Sequence, residues 1–261
     1  MMSSQQPGRA GSWATAIASV LSVITLTACA TDAPAAPPAP STAASTHAPA
    51  ARPTTEPPTD AELLAGLPPE PRVLIVGDSF TEGYGASGPS AAWAAVAAES
   101  LQWRATIDGV GGTGFTKDVA TDGRQGLDYR RRLEMHAAAG EQYDLVVLQG
   151  GLNDWQATRA AEVANVRASV AASRRAWPDA PVIVFGPSSP PATVDAQRYA
   201  SAIASTGRAA GAIVVDPVGT RAWINEANAA RFDVGDGLHL NDAGYLFLAA
   251  RFVAEIDALE D

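Results

Sequence analysis

From residue 71 onward the chain alternates short aliphatic runs with longer Ala-rich stretches. Five of the runs read as strands: RVLIVG (72–77), RATIDG (104–109), YDLVVLQ (143–149), PVIVFG (181–186) and AIVVD (212–216). They are nearly continuous in apolar residues instead of alternating in and out, which is the pattern of parallel strands covered on both faces. The stretches between and after them predict helices near 90–102, 126–139, 158–177, 193–209, 220–230 and 241–258. Punctuation agrees. Ser90 after Pro89 and Asn241 are placed to cap helices, and Pro178 and Pro181 stop one helix ahead of the next strand.

Alternation of strands and helices builds a doubly wound sheet with right-handed crossovers. The expected class is α/β: a three-layer α/β/α sandwich around a flavodoxin-like five-stranded parallel sheet, formed by residues 71–261 as one domain. No internal repeat and no second domain is predicted.

Upstream the pattern changes. Residues 13–28 (WATAIASVLSVITLTA) form an apolar run of the length of a signal-peptide core, short for a membrane span. The run ends in LTAC (26–29), which resembles the bacterial lipobox, a Leu and two small residues before a Cys that becomes lipidated. Cys29 is the only cysteine, so it has no internal disulfide partner. The expectation is a lipoprotein-type signal peptide over 1–29, an extracytoplasmic location, and membrane attachment through a lipid anchor only. A cleaved secretory peptide with an incidental cysteine is the other reading. Residues 30–70 are rich in Ala, Pro and Thr and poor in large apolar side chains, which predicts a flexible tether with His47 chemically idle inside it.

A formal charge of −10 argues against nucleic acid as a partner, because phosphates would be repelled by such a surface. The cluster Arg130, Arg131, Arg132 falls in a predicted helix and reads as a solvated face, with a contact to an anionic polymer as the alternative.

The chemistry-bearing residues fall at the ends of the predicted strands. Ligand sites of open α/β sheets lie beyond the carboxyl ends of the strands. GDSF (77–80) follows the first strand, GVGGTG (109–114) the second and GLND (151–154) the third, so three segments converge on one rim. Ser79 in the first is a weak nucleophile unless a base takes its proton, and the tripeptide Gly77-Asp78-Ser79 taken alone reads as a turn or helix cap before it reads as a nucleophile. DGLH (236–239) supplies the base: Asp236 and His239 are three residues apart, close enough for the carboxylate to hold Nδ1–H while Nε2 faces elsewhere. Of three histidines, His47 lies in the tether and His136 sits mid-helix with no acidic partner patterned beside it, which leaves His239. Gly112 can bring a backbone N–H close to a ligand, or simply make a tight turn. Asn153 can donate from its side-chain amide to a developing oxyanion. Asp154 reads as an organiser of its loop through backbone amides.

These four segments resemble the four blocks of the SGNH (GDSL-type) hydrolases, and the resemblance spans about residues 72–245. It implies Ser79 as nucleophile and oxyanion donor, Gly112 and Asn153 as the other two donors, His239 as base and Asp236 as its orienting partner. The pattern departs from the family at Ile107 and Asp108, where an Asn often precedes the second-block glycine.

The implied function is a serine esterase working through an acyl-enzyme on O-acylated glycans or lipid esters outside the cytoplasm. An acyltransferase on the same scaffold and a non-catalytic glycan-binding lipoprotein are the alternatives. One usable histidine and no clustered ligand set give no reason to expect a metal or other cofactor. Phe80, Tyr84, Phe115 and Trp155 flank the motifs and read either as walls of a subsite or as core, and the loop 186–195 reads as a further wall.

Overall fold

The computed structural model describes residues 57–188, 190, 196–219 and 221–260. Cys29, the apolar run before it, His47, most of the 30–70 segment and most of the 186–195 loop lie outside the described residues.

Order begins earlier than the tether reading allows. Helix α1 (Asp60–Ala65) opens on a capping box, in which the Thr59 hydroxyl accepts from Glu62 N–H at 3.2 Å and the Glu62 carboxylate accepts from Thr59 N–H at 2.8 Å. Leu64 then enters the core at 3 % exposure. The domain boundary at 71 is therefore too late: Thr59-x-x-Glu62 starts a helix and Leu64 anchors it.

The remaining elements follow in chain order. They are β1 (Arg72–Gly77), α2 (Ser79–Glu82), α3 (Trp93–Ser100), β2 (Arg104–Gly109), α4 (Tyr129–Ala138), β3 (Leu145–Gln149), α5 (Arg159–Ala176), β4 (Val182–Phe185), α6 (Gln197–Ala209), β5 (Ile213–Val215), α7 (Ala229–Phe232) and α8 (Asp242–Glu260). All five strands are parallel, in the order β2-β1-β3-β4-β5. Alternate residues divide the core in two. Val73, Ile75, Val147 and Phe185 pack with Leu64, Trp93 and Phe252 on one face. Leu74, Val76, Val146 and Val184 pack with Leu133, Val170 and Ile203 on the other. The α/β/α sandwich is therefore as expected, with α1, α3 and α8 in one outer layer and α4, α5 and α6 in the other.

Three expectations need correction. Ser90 does not cap α3; it lies in a 3₁₀ turn, Pro89–Ala91, and α3 starts at Trp93 without a side-chain cap. Strand β2 is an edge strand, and Ile107 on it is 40 % exposed, so coverage of both faces fails there. The helix predicted over 220–230 shrinks to α7 because asparagines capture the local backbone: Asn228 Oδ1 accepts from Asn225 N–H (2.9 Å), Asn225 Oδ1 from Ala227 N–H (3.1 Å), and Asn228 Nδ2 donates to the Trp223 carbonyl (2.9 Å).

The register sets up the rim. Gly77, the last residue of β1, is the Cα partner of both Gly109 at the end of β2 and Gln149 at the end of β3. Three strands therefore stop level with one another, and the segments that follow them start from one line.

Candidate active site

Directly after β1 the chain turns sharply into α2. Asp78 caps this helix by accepting from Phe80 N–H at 3.0 Å, which makes Ser79 its first residue and leaves the Ser79 N–H among the amides without an intrahelical partner. The turn packs closely over the end of β2, where a Cβ on Gly109 would strike the backbone of Glu82. Glu82 in turn accepts from Gly111 N–H at 3.1 Å, linking α2 to the loop after β2.

Ser79 Oγ lies 2.9 Å from His239 Nε2, and His239 Nδ1 lies 2.7 Å from Asp236 Oδ2. The segment carrying the last two residues is folded by its own carboxylates. Asp236 Oδ1 accepts from the N–H of Leu238 and of His239, both at 2.8 Å, while Asp233 Oδ1 accepts from Gly235 and Gly237. Asn241 caps α8 as expected, its Oδ1 accepting from Gly244 N–H at 3.0 Å. Partial burial pushes the Asp236 carboxyl up, but the His239 N–H and imidazole outweigh it and hold the group down at about 2. Asp236 is thus ionised throughout the working range, as an orienter of an imidazole must be.

The loop after β2 faces this pair. Gly112 has φ +83°, and a Cβ there would stand 2.8 Å from Thr121 N and Oγ1, so the position needs glycine on both counts. Asn153 lies in a 3₁₀ turn after β3, and one hydrogen of its Nδ2 goes to the Thr113 carbonyl at 2.9 Å. An amide nitrogen carries two donors, so fixing one aims the other. Ser79, Gly112, Asn153 and His239 all line one cavity of about 460 Å³, with Tyr84, Val110, Ala120, Thr121, Arg124 and Leu238 among its other walls.

Asp154 is buried and binds backbone amides as read from sequence, but the amides belong to the loop after β2 and not to the loop after β3 that carries it. Its carboxylate accepts from the N–H of Phe115 (3.1 Å), Thr116 (2.7 Å) and Lys117 (3.1 Å) and from the Thr116 hydroxyl (2.6 Å). Burial nevertheless pushes its pKa up. Asp78, fully buried, is pushed up to about 7 by burial and by the charge of Asp154, against the hydrogen bond from Phe80 N–H. Turned to suit its neighbours, the Gln149 amide donates to Asp78 Oδ1 at 3.2 Å and to Thr81 Oγ1 at 2.6 Å.

Two readings from sequence are overturned beside this loop. Arg132 is not a solvated cation: its side chain is 2 % exposed and it donates to Asp108, to the Gly77 carbonyl (2.9 Å) and to Thr113 Oγ1 (3.1 Å). His136 is not without acidic partners, since its Nε2 meets Asp108 Oδ2 at 3.1 Å and its Nδ1 pairs with Glu141. The signal was the helical register. Tyr129, Arg132, Leu133 and His136 follow the spacing i, i+3, i+4, i+7, so Arg132 belongs to the stripe that packs inward with Tyr129 and Leu133.

The aromatics divide. Phe80 and Phe115 are core, at 1 % and 0 % exposure. Tyr84 and Trp155 are exposed, and Tyr84 lays its ring against His239.

With this geometry stands a match over residues 75–246 to the family model of GDSL-like lipases and acylhydrolases, which covers most of the chain. The chain belongs to the GDSL-like lipase/acylhydrolase family. A GDSL lipase of Mycobacterium tuberculosis is 31 % identical over 202 residues, 72 % of this chain and 82 % of that protein. Among solved structures, an inhibitor-bound aryl esterase of M. smegmatis superposes with a TM-score of 0.57 at 18 % identity, over 72 % of this chain and 99 % of its own. A carbohydrate acetylesterase family member from Sinorhizobium meliloti does so with a TM-score of 0.56 at 16 % identity, over 72 % and 98 %. At these identities the two structures speak for the GDSL fold alone, and they agree with the parallel sheet described above.

Proposed function

We propose that this GDSL-family chain is a carboxylic ester hydrolase in which Ser79 is the nucleophile, His239 the general base and Asp236 its orienting partner. The observation that carries the reading is the continuous relay from Asp236 Oδ2 through the imidazole to Ser79 Oγ, with steps of 2.7 and 2.9 Å. Ser79 Oγ attacks the ester carbonyl carbon as its proton passes to His239 Nε2. The carbonyl oxygen becomes an oxyanion held by the N–H groups of Ser79 and Gly112 and by Asn153 Nδ2. Collapse breaks the bond to the alcohol, which leaves with the proton from His239. A water molecule repeats the sequence on the acyl-serine and releases the acid.

The relay also orients the substrate. Because His239 must reach the leaving oxygen, the alcohol moiety lies beside His239, Tyr84 and Leu238. The acyl group then lies along Val110, Ala120 and Thr121 on the other side of the cavity. An aromatic ring at the mouth on the alcohol side suits a sugar ring or an aryl group, in keeping with O-acylated glycans or lipid esters as the substrate class. The lipobox at Cys29 and the Ala/Pro/Thr-rich segment after it support action outside the cytoplasm on a lipid anchor.

Hydrolysis of p-nitrophenyl acetate and butyrate tests the reaction: activity that Ser79→Ala abolishes supports it, and equal turnover by both proteins rejects the nucleophile. Recovery of the acyl group as free acid, and not on an added glycan, separates hydrolysis from transfer. Cys29→Ser is expected to release the protein from membranes, and unchanged fractionation would count against the anchor.

A further inference from the structure

Arg132 is a buried cation whose hydrogen bonds all end on the catalytic rim. Its Nε donates to Asp108 Oδ2 (2.9 Å) and its Nη2 engages Asp108 Oδ1 (2.9 Å) and the Asp108 carbonyl. Its Nη1 donates both to the Gly77 carbonyl (2.9 Å) and to Thr113 Oγ1 (3.1 Å). Gly77 stands two residues before Ser79, and Thr113 directly follows Gly112. Thr113 carries the link further, because its carbonyl accepts from Asn153 Nδ2 at 2.9 Å. The loop is drawn to the same point from its other end, where Val110 N–H also donates to the Gly77 carbonyl at 3.0 Å and the Val110 carbonyl accepts from Thr113 Oγ1 at 2.7 Å.

We propose that Arg132 is a positioning residue for the reaction proposed above: its guanidinium clamps the turn that carries Ser79 to the loop that carries Gly112 and, through Thr113, to Asn153. The proposal rests on the reading of those residues as nucleophile and oxyanion donors. Its physical basis is the shape of the cation. A planar fork with five N–H donors can serve Asp108, Gly77 and Thr113 at once, which the single ammonium of lysine cannot. Oxyanion donors act only when held within hydrogen-bond distance of where the charge develops, so a shift of the loop relative to the turn lowers turnover more than binding. Asp108 completes the device. It stands where the family pattern often has Asn ahead of the second-block glycine, and here a carboxylate neutralises the buried guanidinium and fixes its plane. The departure in the motif is thus matched by a partner on α4.

The test compares Arg132→Lys, which keeps the charge without the fork, with Thr113→Val, which removes one acceptor, and Thr113→Ser, which restores it. On p-nitrophenyl acetate the first two are expected to lower kcat by roughly 10- to 100-fold, with KM within about twofold of wild type, while Thr113→Ser stays within about threefold. Amide hydrogen exchange is expected to speed up over residues 76–80 and 109–116 in the two impaired variants and to remain as in wild type over α5 and α8. Wild-type kcat in both variants would overturn the clamp, as would faster exchange spread evenly over the domain. If Arg132→Lys does not fold, the Thr113 pair decides alone. A wild-type protein no more active than Ser79→Ala would reject the reading of the catalytic groups, whereas the exchange pattern reports on the clamp independently of turnover.

Discussion

Tyr84 lays its ring against the imidazole of His239, the two centroids 4.4 Å apart at 47°. The backbone of Tyr84 is fixed from below, where Tyr245 Oη donates to its carbonyl at 2.6 Å. One face of the proposed base is therefore sheltered by a side chain that is itself 56 % exposed. Such a contact is worth about 1 kcal/mol. Tyr84→Ala is expected to lower kcat/KM for aryl esters about 3- to 10-fold while Tm changes by no more than a few degrees, and Tyr84→Phe is expected to behave as wild type. A Tyr84→Ala enzyme with unchanged kinetics would show that the ring only decorates the mouth.

Asp236 Oδ2 holds the Nδ1 side of the imidazole that faces Ser79. An amide in its place can present N–H to Nδ1 and select the wrong tautomer, so Asp236→Asn is expected to reduce kcat by roughly 10³- to 10⁴-fold, the scale known for such a substitution in serine proteases. Because Asp236 keeps its charge down to about pH 2, loss of that charge cannot produce a fall in activity between pH 4 and 6. A wild-type activity limb that disappears in Asp236→Glu would contradict this.

Asp154 holds three consecutive backbone N–H groups and one hydroxyl from residues 115–117. Asp154→Ala leaves those buried donors unpaired and is expected to cost about 3 kcal/mol of stability in urea unfolding. A loss below about 1 kcal/mol would mean that water replaces the carboxylate at no cost and that the loop is not held by it.

Asp78 gives the fold a pH dependence of definite sign. Its pKa in the folded protein, about 7, lies above the ordinary value of 3.8. The folded state therefore keeps a proton that the unfolded chain gives up as pH rises from about 4 to 7, and stability falls across that window. Ionising this buried carboxyl costs the folded state on the order of 4 kcal/mol, reached in full above pH 7. Asp78→Asn retains the oxygen that accepts from Phe80 N–H and does not ionise. Thermal melts at pH 5 and pH 8 are expected to differ less in this variant than in wild type, and parallel curves would refute the burial argument.

His136 contributes in the same direction by another route. Hydrogen bonding to Asp108, helped by Glu141 and opposed by partial burial, raises its pKa above the usual 6.5. The stabilisation is complete below about pH 6.5 and is lost as pH rises through the raised value. His136→Gln is expected to lower Tm at pH 6 and to leave it nearly unchanged at pH 9. Equal losses at both pH values would assign the residue a packing role only.

The parts of this site that were legible in the sequence are those whose chemistry is local. Ser79, Gly112 and Asn153 directly follow strands that periodicity identifies, and Asp236 and His239 are near enough in sequence to define each other. The Arg132 clamp is different in kind. Its partners come from β1, β2 and the second loop, and nothing adjacent in the chain marks the arginine as buried when Arg130 and Arg131 beside it are ordinary surface cations. Only the register of α4 with Tyr129 and Leu133 separates it from its neighbours. The order of α1 was equally accessible, in Thr59-x-x-Glu62 ahead of Leu63 and Leu64, but the prolines around it dominate the composition. The failed helix over 220–230 shows the reverse: Ala-rich composition favours a helix there, and two asparagine side chains take the backbone groups first.

The level ending of β1, β2 and β3 carries a consequence for how such a protein can change. Three of the five proposed catalytic and oxyanion residues descend from those three strands, and the other two precede α8. The connection that leaves Phe185 supplies none of them, whereas the chain that leaves Val215 runs on through α7 to Asp236 and His239. Lengthening, shortening or exchanging the connection after Phe185 therefore leaves nucleophile, base and oxyanion donors on their own segments, while the same change after Val215 moves the base. The fold thus tolerates length changes after β4 without disturbing the proposed catalytic groups, whereas a one-residue insertion in β1, β2 or β3 would turn a rim residue to the opposite face of the sheet.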